Sequence, residues 1–172
     1  VSSEREQEPG HPARSDQPDP AAATRALREQ ALTVDAAALG LAPTPRLPHV
    51  WGALMETGFA EGVVTLVTFA DGTTSLYFSN GGGMIGLGQR DDVRAAAEAF
   101  LAEAEAHRAH AAPAAATPQP GPGRVRFYLR TFGGTLTAEA DEEDLGYHRH
   151  PLSPVFHAAQ SLLTAIREAS GQ

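Results

Sequence analysis

The stretch from Val63 to Gly88, VVTLVTFADGTTSLYFSNGGGMIGLG, does most to limit what this chain can fold into. Val63 to Phe69 is rich in β-branched residues and poor in helix formers, which suits a strand on a pleated, largely buried surface. Asp71-Gly72 follows; a type I′ turn needs positive φ at both central residues, and Asp-Gly is a pair that supplies it. Thr73 to Ser79 returns as the partner strand. A two-residue turn at Asp71-Gly72 places Phe69 opposite Thr74, Val67 opposite Leu76 and Thr65 opposite Phe78. Both faces of this ribbon are partly apolar, whereas an antiparallel ribbon with one wet face alternates more cleanly. Each face therefore needs a cover: helices on one, and a loop, the N-terminal segment or a second subunit on the other.

The glycine run that ends this stretch contains a formal Gly-x-Gly-x-x-Gly at Gly81, Gly83 and Gly86. That pattern signals a dinucleotide or phosphate loop only after the first strand of a parallel βαβ unit, where it opens directly into a helix. Here the preceding strand belongs to an antiparallel hairpin, and the following helix begins at Asp91-Asp92. Two carboxylates suit a helix N-terminus but repel a phosphate placed there. The phosphate reading is discounted in favour of a strand extension or tight crossover, whose backbone needs unusual φ or close approach to a neighbour.

On the N-terminal side, residues 1–18 are polar and proline-rich and read as a disordered tail, with a single domain over 19–172. Asp19-Pro20 gives an N-cap followed by proline at the first helical position. Leu27, Ala31 and Val34 then form one apolar stripe. A short turn from Asp35 ends at Gly40, and Pro43, Pro45 and Pro48 forbid helix thereafter. His49 to Thr57 reads as the first strand, and its Trp51, the chain's one tryptophan, as core.

On the C-terminal side, Asp91 to His107 is a helix with Val93, Ala97, Phe100, Leu101 and Ala104 on one face, and Arg94 and Glu98 one turn apart on the other. His107 and His110 suit the negative end of its dipole. The Pro/Ala-rich segment 111–123 reads as an extended or mobile loop. Arg124 to Phe132 and Thr135 to Asp141 form a second hairpin about Gly133-Gly134. This sets Arg130 opposite Thr137, Tyr128 opposite Glu139, Arg126 opposite Asp141 and Arg124 opposite Glu143. The arginines imitate a nucleic-acid-binding stripe, but carboxylates face them, and cross-strand ion pairs account for both. Ser153 at N-cap and Pro154 at N1 start the last helix, whose stripe is Val155, Ala159, Leu162, Leu163 and Ile166.

The predicted fold is α+β: an antiparallel sheet of about five strands, helices packed on one face, in the order α-β-β-β-α-β-β-α. The chain has no cysteine, which removes disulfides, thiolate nucleophiles and cysteine zinc sites. A net charge of −8 argues against non-specific nucleic-acid binding. No apolar run is long enough to span a bilayer, and the first residues do not read as a secretory signal, so the expected location is cytoplasmic.

No catalytic constellation or cofactor motif stands out. The candidate ligand-binding residues are Gly81, Gly82 and Gly83 with His148, Arg149 and His150, where flexible backbone would meet acid–base and anion-binding side chains. His148, His150 and His157 near the acidic run 141–144 have metal-ligating types but no established ligand spacing, so no metal is assigned.

The phrases GALMETG (52–58), ADGTTSLYFSNGGGMIG (70–86), GRVRFYL (123–129) and HPLSPVFHAAQ (150–160) resemble a family of uncharacterised bacterial proteins, over the chain after Leu27. That family has no assigned activity and carries over no functional residue. The element order is also similar to that of the type III secretion chaperone-like fold, which implies a dimer that binds other polypeptides. The expectation is a non-enzymatic binding, adaptor or chaperone-like domain acting as a homodimer or on another protein. The alternative is a small-molecule or metal-binding, hydrolase-like enzyme with its site between residues 81–88 and 147–157.

Overall fold

A computed structural model describes residues 18–171; most of the expected N-terminal tail lies outside them. Helix α1 (Pro20–Thr33) precedes four strands, β1 (Val50–Phe59), β2 (Gly62–Phe69), β3 (Thr74–Phe78) and the short β4 (Gly83–Met84). Helix α2 (Asp91–His107) follows, then the short β5 (Ala112–Pro113), β6 (Arg124–Thr131) and β7 (Gly134–Asp141), and finally α3 (Glu142–Gly146) and α4 (Ser153–Ser170). The class is α+β with one antiparallel sheet, ordered β4-β3-β2-β1-β6-β7-β5. It has seven strands rather than five. The additions are β4, β5 and the one-turn helix α3, all too short for a periodic pattern to register.

Helices cover both faces, not one. On the first face α2 and α4 pack on each other and on Val50, Ala53, Met55, Leu66, Leu76, Val125, Phe127 and Leu129. The α2 stripe buries the five residues that the helical period selects. On the second face Ala31 and Leu32 of α1 join Trp51, Leu54, Val67, Phe69, Tyr77 and Tyr128, with Leu27 and Val34 at the margin. The segment 111–123 lies along the same face and is tethered rather than mobile. Ala114 N–H bonds to Thr135 O, Arg28 and Tyr128 donate to the Thr117 and Pro118 carbonyls, and Gly123 N–H bonds to Gly58 O. A Cβ at Gly58 would collide with the Gly121 carbonyl, so glycine there lets the two backbones touch. The apolar second face is thus covered by the chain itself, and a second subunit is not needed to explain it.

The β2–β3 register differs from the expected one by one residue. Thr68 faces Thr74, Leu66 faces Leu76 and Val64 faces Phe78. Phe69 and Thr73 close the hairpin, Gly72 donates to Phe69 O, and Gly72 alone has positive φ, at 94°. This three-residue connection is a type I turn ending in a glycine bulge, not the two-residue type I′ turn. Asp71 serves it by accepting the Thr73 N–H at 2.9 Å. The slip gathers Val64, Leu66, Leu76 and Phe78 on the α2/α4 face and Val67, Phe69 and Tyr77 under α1. Each cover then meets a continuous apolar patch, and a one-residue shift always exchanges the faces.

In the second hairpin the turn is Phe132-Gly133, one residue early. Partners move by two positions, so the faces are as expected. Arg126 faces Glu139 and Arg124 faces Asp141, and both pairs form ion pairs. Two smaller expectations are corrected. Arg94 pairs with Asp91 and the Gly88 carbonyl rather than with Glu98. Ser153 is the first residue of α4 and its hydroxyl caps nothing; it is buried without a partner.

Candidate functional site

The glycine run takes the form of a strand extension and a close crossover. Gly81, Gly82 and Gly86 have φ of 113°, 87° and 69°, and Gly83 pairs with Tyr77 as the start of β4. At Gly88 a Cβ would run into the Gly72 carbonyl, so the crossover backbone rests directly on the β2–β3 turn. Gly81 packs on Pro20 at the start of α1. This arrangement occupies the glycines of the formal dinucleotide pattern with backbone geometry.

The two halves of the sequence-derived site do not meet. Gly81, Gly82 and Gly83 sit at the β4 edge of the sheet, beside Ser170 at the far end of α4, whose hydroxyl lies 3.4 Å from the Met84 sulfur. His148, Arg149 and His150 lie before the start of α4, by α3 and the end of β7. His157 and Ser170 are separated by thirteen helical residues, about 20 Å at 1.5 Å per residue.

Each member of the histidine segment has a local role. His148 is the one non-glycine residue of positive φ among the described residues, at 59°, and its ring stacks on His157 at 4.3 Å. His150 Nδ1 accepts the Leu152 N–H at 3.0 Å, and Arg149 pairs with Asp144 and Glu143. Among the described residues no three His, Asp or Glu side chains are grouped to hold a metal.

A different place has the form of a binding site. At the end of the sheet where β1 starts and β2 and β6 finish, a cleft of about 360 Å³ opens between α2 and the segment 41–47. Its floor is the buried Val50, Trp51, Phe69 and Leu101, and Leu41, Leu47 and Phe132 form half-buried walls. The floor residues are fixed from several sides. Trp51 meets Phe69 at 5.3 Å, and the Arg130 guanidinium lies 4.7 Å over its ring. Arg130 in turn donates to the Ala31 and Val34 carbonyls at 2.6 and 2.8 Å, so it satisfies the C-terminal end of α1 while pinning the indole. Burial lowers the Arg130 pKa, and nearby Asp35 opposes that.

The first strand is anchored beside the cleft by Glu105 of α2. Its carboxylate accepts the Val50 and His49 N–H groups at 2.6 and 3.2 Å and meets His49 Nδ1 at 2.8 Å. Burial pushes the Glu105 carboxyl up, but these bonds outweigh it and hold it below its ordinary range. The wall segment is stiffened by Pro43, Pro45 and Pro48 and closed by a Thr44–Leu47 hydrogen-bonded turn.

Charge sits only at the rim. Asp71 is committed to its turn and Arg94 to Asp91. Arg46 and Glu98 line the cleft, are exposed, and have no side-chain partner among the described residues. Sequence reasoning read Trp51 as core, which it is, and read 41–48 only as a helix stop. The signal for the cleft was there: Leu41 and Leu47 flank prolines in a segment that is not helical, and apolar residues in a rigid loop need a surface to face.

The second face holds a buried ion pair. Arg28 of α1 donates from Nε and Nη2 to Glu56 at 2.7–3.1 Å, and Nη2 also reaches Thr117 O at 2.8 Å. Glu56 is fully buried, and Thr65 adds a long bond of 3.4 Å. Burial raises the Glu56 pKa, against the pull of Arg28. No helix among the described residues is long and apolar enough to cross a membrane. Comparison of the chain with protein families, curated proteins and solved structures gives no match in any of the three.

Proposed function

We propose that this chain is a non-enzymatic binding domain that holds another polypeptide by an apolar side chain seated in the cleft between α2 and the 41–47 segment. The observation that carries the reading is the cleft itself, a preformed apolar hollow of about 360 Å³ floored by a clamped tryptophan. Ligand pockets run from roughly 300 to 1,000 Å³, so this one suits one or two side chains better than a cofactor. Its floor is already ordered, which lowers the cost of binding. The unpartnered Arg46 and Glu98 at the rim offer both signs of charge to groups flanking the seated side chain. The order of the long elements, similar to that of polypeptide-binding chaperones, points the same way; β4, β5 and α3 are short insertions into it.

The test is selection of peptides from a random library, with Ala102→Phe as the counter-target. Ala102 is exposed and lines the cleft, so a phenyl ring there fills it without replacing a core side chain. Selected peptides should share an apolar anchor, change the fluorescence of Trp51 and lose affinity for the variant. A concentration-dependent dimer abolished by Ala102→Phe identifies the partner as a second copy of this chain. Peptides that bind the folded variant as tightly as the wild type refute the cleft as the site.

A further inference from the structure

A second hollow, of about 280 Å³, lies between α1, β3 and Gln119 of the tethered segment, next to the Arg28–Glu56 pair. Its two cationic side chains, Arg25 and Arg28, have donor capacity to spare. Arg28 spends Nε and Nη2 on Glu56 and Thr117 and lies against Tyr128, 5.9 Å from its ring centroid, while Nη1 donates to no carboxylate or carbonyl among the described residues. Arg25, one turn earlier on the same helix, touches only Asp19, at a loose 3.8 Å, and is two-thirds exposed. Ser79 Oγ takes the Val63 N–H at 2.8 Å and keeps its own proton to give. The Tyr77 hydroxyl has no partner among the described residues. Of the other polar groups, Glu56 already accepts from Arg28 and Thr65, Thr24 donates to the Ala21 carbonyl, and the Gln119 amide can both donate and accept.

Two guanidiniums, which only donate, beside two hydroxyls that can donate favour a ligand rich in acceptors. We propose that this hollow binds the oxyanion end of a small molecule, a phosphate or a carboxylate, through Arg25, Arg28, Ser79 and Tyr77. The buried Glu56 does the work of positioning: it fixes the Arg28 guanidinium plane so that its free edge is ordered before the anion arrives. The glycine run has a part in this too. It begins two residues after Ser79 and packs on Pro20 through Gly81, so it joins the end of β3 to the start of α1 beside the hollow. This site is independent of the apolar cleft.

The test uses inorganic phosphate and acetate as probes, at constant ionic strength set with chloride, read by NMR shifts of the Ser79 amide and the arginine Nε–H groups. Wild-type protein should give saturable shifts with a millimolar dissociation constant for at least one probe. Phosphate in preference to acetate assigns a phosphate group, and the reverse a carboxylate. Arg25→Gln should weaken binding about tenfold, the usual effect of one lost charge-assisted contact. Its exposure keeps the fold intact, and Ser79→Ala gives a second, uncharged check. Shifts that never saturate, that chloride reproduces, or that Arg25→Gln leaves unchanged overturn the assignment.

Discussion

Replacing Arg28 by Met tests how the second face is held. The substitution keeps an apolar stem of similar length and removes three contacts to a carboxylate with no exposure, plus the bond to Thr117 O. What remains to Glu56 is Thr65 at 3.4 Å. Breaking a buried pair from one side costs about 3–5 kcal/mol, because the other charge stays behind in an apolar setting. At neutral pH the loss should lie in that range, a large share of the roughly 5–15 kcal/mol that holds a domain together. It should shrink at acid pH, below the ordinary carboxylate value of 4.5, where Glu56 is protonated in folded and unfolded chains alike. The double variant Arg28→Met/Glu56→Met should recover most of the loss, since a buried pair replaced by apolar residues is often neutral. Urea unfolding of the wild type, both singles and the double at two pH values gives the coupling directly. A cost under about 1 kcal/mol for Arg28→Met, or strictly additive single effects, would refute the view that this pair is buried and mutually dependent.

Three further outcomes follow from particular contacts. Glu56 has a raised folded pKa, so it contributes stability that falls as pH rises above 4.5, whereas Glu105, with a lowered pKa, contributes stability that is lost as pH falls below 4.5. Glu56→Gln should therefore flatten the stability profile on the alkaline side of that value and Glu105→Gln on the acid side, read by thermal melts across pH. Gly58→Ala and Gly88→Ala place a Cβ against the Gly121 and Gly72 carbonyls and should each cost about 1–3 kcal/mol in urea unfolding, while Gly133→Ala, whose Cβ would meet only Thr131 Oγ1 at an ordinary 3.9 Å, should cost under about 0.5 kcal/mol. Arg130→Met strips the α1 carbonyls and uncovers the indole; about 2–3 kcal/mol should go, with a shift in Trp51 emission, and an unchanged spectrum would show that the cation is not over the ring.

Much of this fold was legible because the signals were local and strong. The α2 stripe, the Asp19-Pro20 helix start, whose Asp19 carboxylate accepts the Ala21 N–H, and the Gly40 stop depend on neighbours within one or two turns, and the structure has them. The hairpins were legible as hairpins but not in register. Asp-Gly and Gly-Gly each fit more than one turn, and only the covers on the two faces decide between them. The side on which α1 packs was not legible, because Leu27, Ala31 and Val34 fit either face equally well. The distance between the glycines and the histidines was not legible for a related reason. Both are turn-rich, polar stretches, and nothing in their composition reveals that the length of α4 lies between them. The cleft was missed because it is assembled from four distant segments, none of which has a motif.

Some of the contacts that seat α1 reach far along the chain. Arg130 reaches back 99 and 96 residues to Ala31 and Val34, and Thr117 lies 89 residues from Arg28. On a ribosome that builds from the N-terminus, α1 can meet β1–β3 early, but its Arg130 anchors must wait until the sixth strand has emerged. Until then Trp51 lacks its cation and α1 is held without its C-terminal anchors, and long-range pairings of this kind close slowly. A chain that stalls short of Arg130 is therefore left with an unpaired β1 edge and a loosely held α1, and these are what quality control would meet first.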